Sequence, residues 1–181
     1  MRRWLSLKRG TGTWDLKIWA VQRSQTVHSV PDEQPSREAA ACQDSMMFVI
    51  KAEVSDPRAK TFTFSAQKTM YGGKLIATGD TIFIFASENE GGQGLIARGV
   101  VTSARAIPKK AGVARQTPRV SITVRRTALA KRCLGRSELK RFSDWNDGRP
   151  ETELNFKFYR QATNKIAGIS DEAVAFIRGF F

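Results

Sequence analysis

Four carboxylates within ten residues, Asp144, Asp147, Glu151 and Glu153, form the densest acidic group in the chain. Such a group can hold Mg²⁺ for phosphodiester hydrolysis. Here the spacing argues for a turn instead: in Asp144-Trp145-Asn146-Asp147-Gly148-Arg149-Pro150 the Asx side chains can bond their own backbone, and glycine supplies a positive φ. Histidine chemistry has one candidate, His28, with no second histidine to partner it. Cys42 and Cys133 lie far apart, so neither a disulfide framework nor a Cys/His zinc site is expected. The run Gly92-Gln93-Gly94-Leu95-Ile96-Ala97 imitates a dinucleotide fingerprint, but a β-rich segment follows it where a helix is required, so it reads as a hairpin turn. Gly72-Gly73-Lys74 is followed by Leu75 where a phosphate loop needs Ser or Thr. No catalytic constellation, metal or cofactor is implied, and the expectation is a protein that is not an enzyme.

The cations carry more information. Between Arg98 and Arg141 lie thirteen Lys or Arg residues against Glu138 alone, so this stretch holds all but one unit of the formal charge of +13. On a strand over 119–125, Arg119 and Arg125 share the polar face, and the Pro108–Pro118 loop adds Lys109, Lys110 and Arg115. With Arg98, Arg105, Arg126, Lys131 and Arg132 these form a candidate surface for a phosphate backbone. The alternative is a solvated surface kept soluble by charge, where both signs usually mix. Trp145 sits in a turn beside the end of this stretch. An indole there either closes over the core or stacks on a planar ligand. The stacking reading groups Trp145 with Phe62, Phe64 and Tyr159 around an extruded base, with Asn155, Arg160, Gln161 or Asn164 reading its polar edge. The competing reading is that Arg160 and Gln161 satisfy loop carbonyls.

These residues need a scaffold. Apolar residues are 41% of 181, enough for a packed core, and no segment reaches the roughly 18 apolar residues of a spanning helix. Residues 1–46 mix a basic start with a Ser-, Pro- and Gln-rich stretch lacking periodicity, and are expected to be a disordered or non-native extension; a basic arm or transit peptide is the other reading. Order begins at Met47. Strands are expected near 47–54, 61–65, 80–86, 95–106, 119–127 and 153–159, and helices near 66–76, 137–145 and from Ser170 to the end. Ser170 is a good N-cap, Asp171 and Glu172 suit the helix dipole, and the apolar residues that follow would plug one end of a curled sheet. The strand Thr81–Ala86 is almost continuously apolar, as a strand covered on both faces must be. Low cysteine content places the protein in a reducing cytoplasm.

The opening strand Met47–Val54, the Gly79-Asp80-Thr81-Ile82-Phe83-Ile84-Phe85 turn and strand, the Gly94-Leu95-Ile96-Ala97-Arg98-Gly99-Val100-Val101 strand, and a late aromatic segment before a closing helix resemble the EVE domain of the PUA-like superfamily, a relative of YTH, ASCH and SRA readers. The resemblance covers 47–181 and implies an α+β, strand-rich fold: a small curled β-barrel with peripheral helices and a C-terminal helix. It further implies a reader that takes an extruded, modified base into an aromatic pocket, often coupled to a nuclease. Gly79 and Asp80 match the family turn, Trp145 stands as a cage residue, and Lys109–Arg141 exceeds the family minimum. The function expected is therefore a nucleic-acid-binding module, on DNA or RNA, with a nuclease or translation partner. A small nucleotide- or nucleoside-processing enzyme and an RNA- or ribosome-associated accessory protein are the alternatives.

Overall fold

A computed structural model describes residues 47–160 and 164–181; the expected extension at 1–46 lies outside the described residues. Six strands close into a barrel: β1 (Met47–Ala52), β2 (Thr61–Met70), β3 (Thr81–Ala86), β4 (Gly94–Ile107), β5 (Arg119–Leu129) and β6 (Lys165–Ile169), in the spatial order β1-β3-β4-β5-β2-β6. Two of the pairings, β1 with β3 and β2 with β6, are parallel, and the rest antiparallel.

Period-2 alternation decides where each residue goes. Phe48, Ile50, Phe62, Phe64, Ile82, Ile84, Val120, Ile122 and Val124 point inward and fill the barrel. Their neighbours Val49, Phe83, Phe85, Leu95 and Ala167 point outward, into a second apolar layer completed by Leu134, Leu139, Leu154, Phe158, Val174 and Ile177. This is why Thr81–Ala86 is apolar throughout: one face lines the barrel and the other lies under helices. The helices are α1 (Arg136–Leu139), α2 (Pro150–Asn155), which runs into a π-helical turn over Phe156–Arg160, and α3 (Asp171–Arg178). As expected, Ser170 caps α3, its hydroxyl accepting from Ala173 N at 3.2 Å. The helix packs along the outer barrel wall instead of plugging an end, because its apolar residues join the outer layer.

Three local expectations are corrected. The segment expected as a strand at 153–159 is helical: Pro150 starts α2 with Glu151 and Glu153 in its first turn, and Leu154 and Phe158, four apart, are both fully buried. The alternation Leu154, Phe156, Phe158 was compatible with either period, and the outer layer selected the helix. The expected helix at 66–76 is strand through Met70. Ala66, at φ 49°, makes a bulge after which β2 resumes pairing with β5 and adds β6. Strand β6, which the sequence pattern does not announce, has Lys165 as its first residue and Gly168 within it. The helix expected over 137–145 is limited to α1.

Candidate nucleic-acid interface

The cations of the 98–141 stretch are arranged by β2, β5 and β4. Register places Lys68 beside Arg119, Arg105 beside Ser121, and Thr61 beside Arg125, which in turn faces Val100. Since Val120, Ile122 and Val124 point into the barrel, Arg119 and Arg125 lie on the outer face, and paired residues share that side. The ion pairs among the described residues are Lys51–Glu88, Arg149–Asp147 and Lys157–Glu153, so no cation from Arg98 to Arg141 is neutralised by one.

The ten expected phosphate ligands divide into two groups. Arg119 donates to Ala66 O at 2.8 Å, Arg126 donates to Arg58 O, Arg132 donates to Gly179 O and lies over the Phe180 ring, and Arg98 lies over Phe181. Those four guanidinium groups brace the fold. The side chains of Arg105, Lys109, Lys110, Arg115, Arg125 and Lys131 are exposed and make none of these contacts.

Around α1, α2 and the π-turn a cleft of about 470 Å³ opens, lined by Arg136, Lys140, Ser143, Asn155, Tyr159 and Arg160. Below it lies a part-buried polar network that sequence reasoning did not identify. Glu88 Oε1 accepts from Tyr159 Oη at 2.9 Å and from Arg136 N at 2.6 Å. Lys51 Nζ is 3.7 Å from Glu88 Oε2 and 4.4 Å from the Tyr159 ring centre. Burial, reinforced by the Glu88 carboxylate, pushes the Tyr159 phenol well above its ordinary range, so it stays a neutral donor. Burial lowers Lys51, and burial together with Lys51 lowers Lys165 to about 8. Glu88 Oε2 and the enclosed Ser87 Oγ make no hydrogen bond among the described residues. Cationic rim, aromatic wall and amide together suit a planar, anionic guest. The signal available in the sequence was Lys51, a charge at the end of an otherwise apolar strand.

The expected base-pocket residues are thus only partly brought together. Asn155, Tyr159 and Arg160 line the cleft. Phe62 and Phe64 do not: as a correction, they are 5% exposed inside the barrel, in the interior cluster, whereas Tyr159 packs against the outer one. Asn164 is half-buried just before β6, and Gln161 lies outside the described residues. Trp145 is not in the cleft lining; it packs on Phe156, ring centres 4.4 Å apart. The nearby carboxylates serve the turn. Asp144 Oδ1 accepts from Asn146 N at 3.0 Å, and Asp147 accepts from Arg149 N at 2.9 Å and from Thr152 Oγ1 at 2.8 Å. Glu153 bonds Lys157 and Ser170; burial alone would raise its carboxyl, and these bonds outweigh it and hold the group lowered.

No family model and no curated protein matches the chain. Solved structures do. The DUF55 domain of human thymocyte nuclear protein 1 is 13% identical, with a TM-score of 0.51 over 74% of this chain and 96% of that one. The same human protein in complex with 5-methylcytosine-containing DNA gives 13% identity and a TM-score of 0.52 over 75% and 96%. A hypothetical protein from Leishmania major gives 16% identity and a TM-score of 0.50 over 75% and 94%. Identity at that level shows the fold alone: the closed six-stranded barrel with its outer helices is the small, strand-rich α+β barrel that the sequence led one to expect.

Proposed function

We propose that the chain is a nucleic-acid-binding module that holds phosphates on its basic face and accepts an extruded base, modified in its preferred ligand, in the cleft between α1 and the π-turn. The observation that carries this reading is a set of exposed cations with no ion pair among the described residues, together with a cleft that has a cationic rim and a tyrosine wall. Duplex binding needs unpaired cations at the surface, because each phosphate neutralised releases counterions. A flipped base needs an aromatic face and polar groups for its edge, and Tyr159, Asn155 and Arg160 supply both. The human fold neighbour solved with 5-methylcytosine-containing DNA supports the same reading. The cleft offers cations, an amide, a hydroxyl and a phenol kept protonated, the groups of a reader, with no carboxylate among its lining residues to act as a base. Titration of DNA and RNA duplexes carrying cytosine, 5-methylcytosine or 5-hydroxymethylcytosine against wild type and Asn155→Ala tests it. A modified-base preference that the variant loses supports the cleft. Equal affinity for all three bases removes the base pocket and leaves a basic surface.

A further inference from the structure

Trp145 is 57% exposed, although a large apolar ring gains by burial. Its exposure is built in. Asn146 and Arg149 donate backbone N–H groups to Asp144 and Asp147, Thr152 Oγ1 donates to Asp147, and Asn155 Nδ2 donates to Phe142 O at 2.7 Å, so the turn is tied at both ends to α2. The indole packs against Phe156, ring centres 4.4 Å apart and planes tilted by 55°. The guanidinium of Arg160 lies 4.6 Å from that same Phe156 ring, and Arg160 also lines the cleft. Phe156 therefore joins the indole to the cleft wall, and Ser143, two residues before Trp145, belongs to the cleft itself.

We propose that Trp145 is a stacking platform for the unpaired base next to the nucleotide held in the cleft, so that the preferred ligand carries at least two consecutive unpaired nucleotides. This rests on the nucleic-acid reading above and adds the ligand class to it. A rigidly presented aromatic ring loses little entropy on stacking, and a base has a π-face whatever its identity. The cleft is cationic through Arg136, Lys140 and Arg160, which suits the phosphates that accompany such a base; beside Trp145, Asp144 and Asp147 are engaged in the turn, and Asp147 also pairs with Arg149. A protein ligand anchored on the indole is the competing occupant.

The test uses the full chain and three labelled DNAs in anisotropy titrations: a fully paired duplex, the same duplex with two consecutive unpaired nucleotides, and the latter with the second nucleotide made abasic. Wild type should bind the second about tenfold more tightly than the third. Trp145→Ala should abolish that gap without changing affinity for the paired duplex, and Trp145→Phe should restore most of it. Both variants should melt as wild type does, because the side chain is largely in solvent. A gap that survives in Trp145→Ala, or is absent from wild type, overturns the platform while leaving the basic face and cleft intact, and points to the protein ligand. Failure of wild type to bind any of the three overturns the nucleic-acid reading and the platform with it.

Discussion

Charge removal on the barrel face should separate the cations that meet phosphate from those that brace the fold. Six side chains, Arg105, Lys109, Lys110, Arg115, Arg125 and Lys131, are exposed and make no hydrogen bond, ion pair or ring contact among the described residues. If each neutralises one phosphate of a duplex, log K should fall against log[salt] with a slope of about −5, and affinity should drop about 10³-fold between 50 and 200 mM salt. The double variant Arg105→Gln/Arg125→Gln removes two of these contacts. Its slope should be shallower by about 2, and the loss over the same salt range should shrink to about 10²-fold. Arg132→Gln behaves differently, since that guanidinium already serves Gly179 O and the Phe180 ring. Its slope should match wild type, while stability falls by about 1 to 2 kcal/mol. Anisotropy titrations at four salt concentrations, with thermal melts of each variant, read both quantities. An unchanged slope in the double variant, or an equal loss of slope in Arg132→Gln, refutes the division of the cations.

Lys165 is fully enclosed with its pKa lowered to about 8 by burial and by Lys51, so between pH 8 and the unfolded value near 10.5 the unfolded chain binds more protons and this group makes stability rise with pH. In urea unfolding, wild type should gain up to ~2 kcal/mol relative to Lys165→Met from pH 7 to pH 10, and a constant difference between the two would contradict the shift. Phe158→Ala removes a fully buried ring whose centre is 4.7 Å from that of Phe85, and should cost about 3 to 5 kcal/mol by denaturant titration. Ser170→Ala removes the cap of α3 and a hydrogen bond to Glu153, and should cost about 1 to 2 kcal/mol, visible as a lowered Tm.

Local pattern in the sequence was sufficient for much of the barrel. Alternation around Val120, Ile122 and Val124 specifies a strand because a one-residue slip would turn every apolar side chain outward, and the short, nearly continuous apolar runs of Met47–Ala52 and Thr81–Ala86 mark strands covered on both faces. The Ser170 cap and the acidic first turn of α3 were legible for the same reason: they depend on neighbours within four residues. The concentration of charge between Arg98 and Arg141 is likewise a property of the chain. Tertiary structure decided the remainder. A segment with apolar residues at 154, 156 and 158 fits either period, and only the outer layer beneath Phe158 fixed it as helix. Short strand β6 exists because β1 and β2 offer it two edges, a circumstance its own residues do not encode. The polar network under the cleft draws Lys51 from β1, Glu88 from the turn after β3, Arg136 from α1 and Tyr159 from the π-turn. Spacing along the chain cannot announce such a site, because closing the barrel and laying helices against its outer wall is what brings those four side chains together. The same closure drew Phe62 and Phe64 inward and left Trp145 in solvent, so aromatic residues alike in sequence received opposite environments from the wall between them.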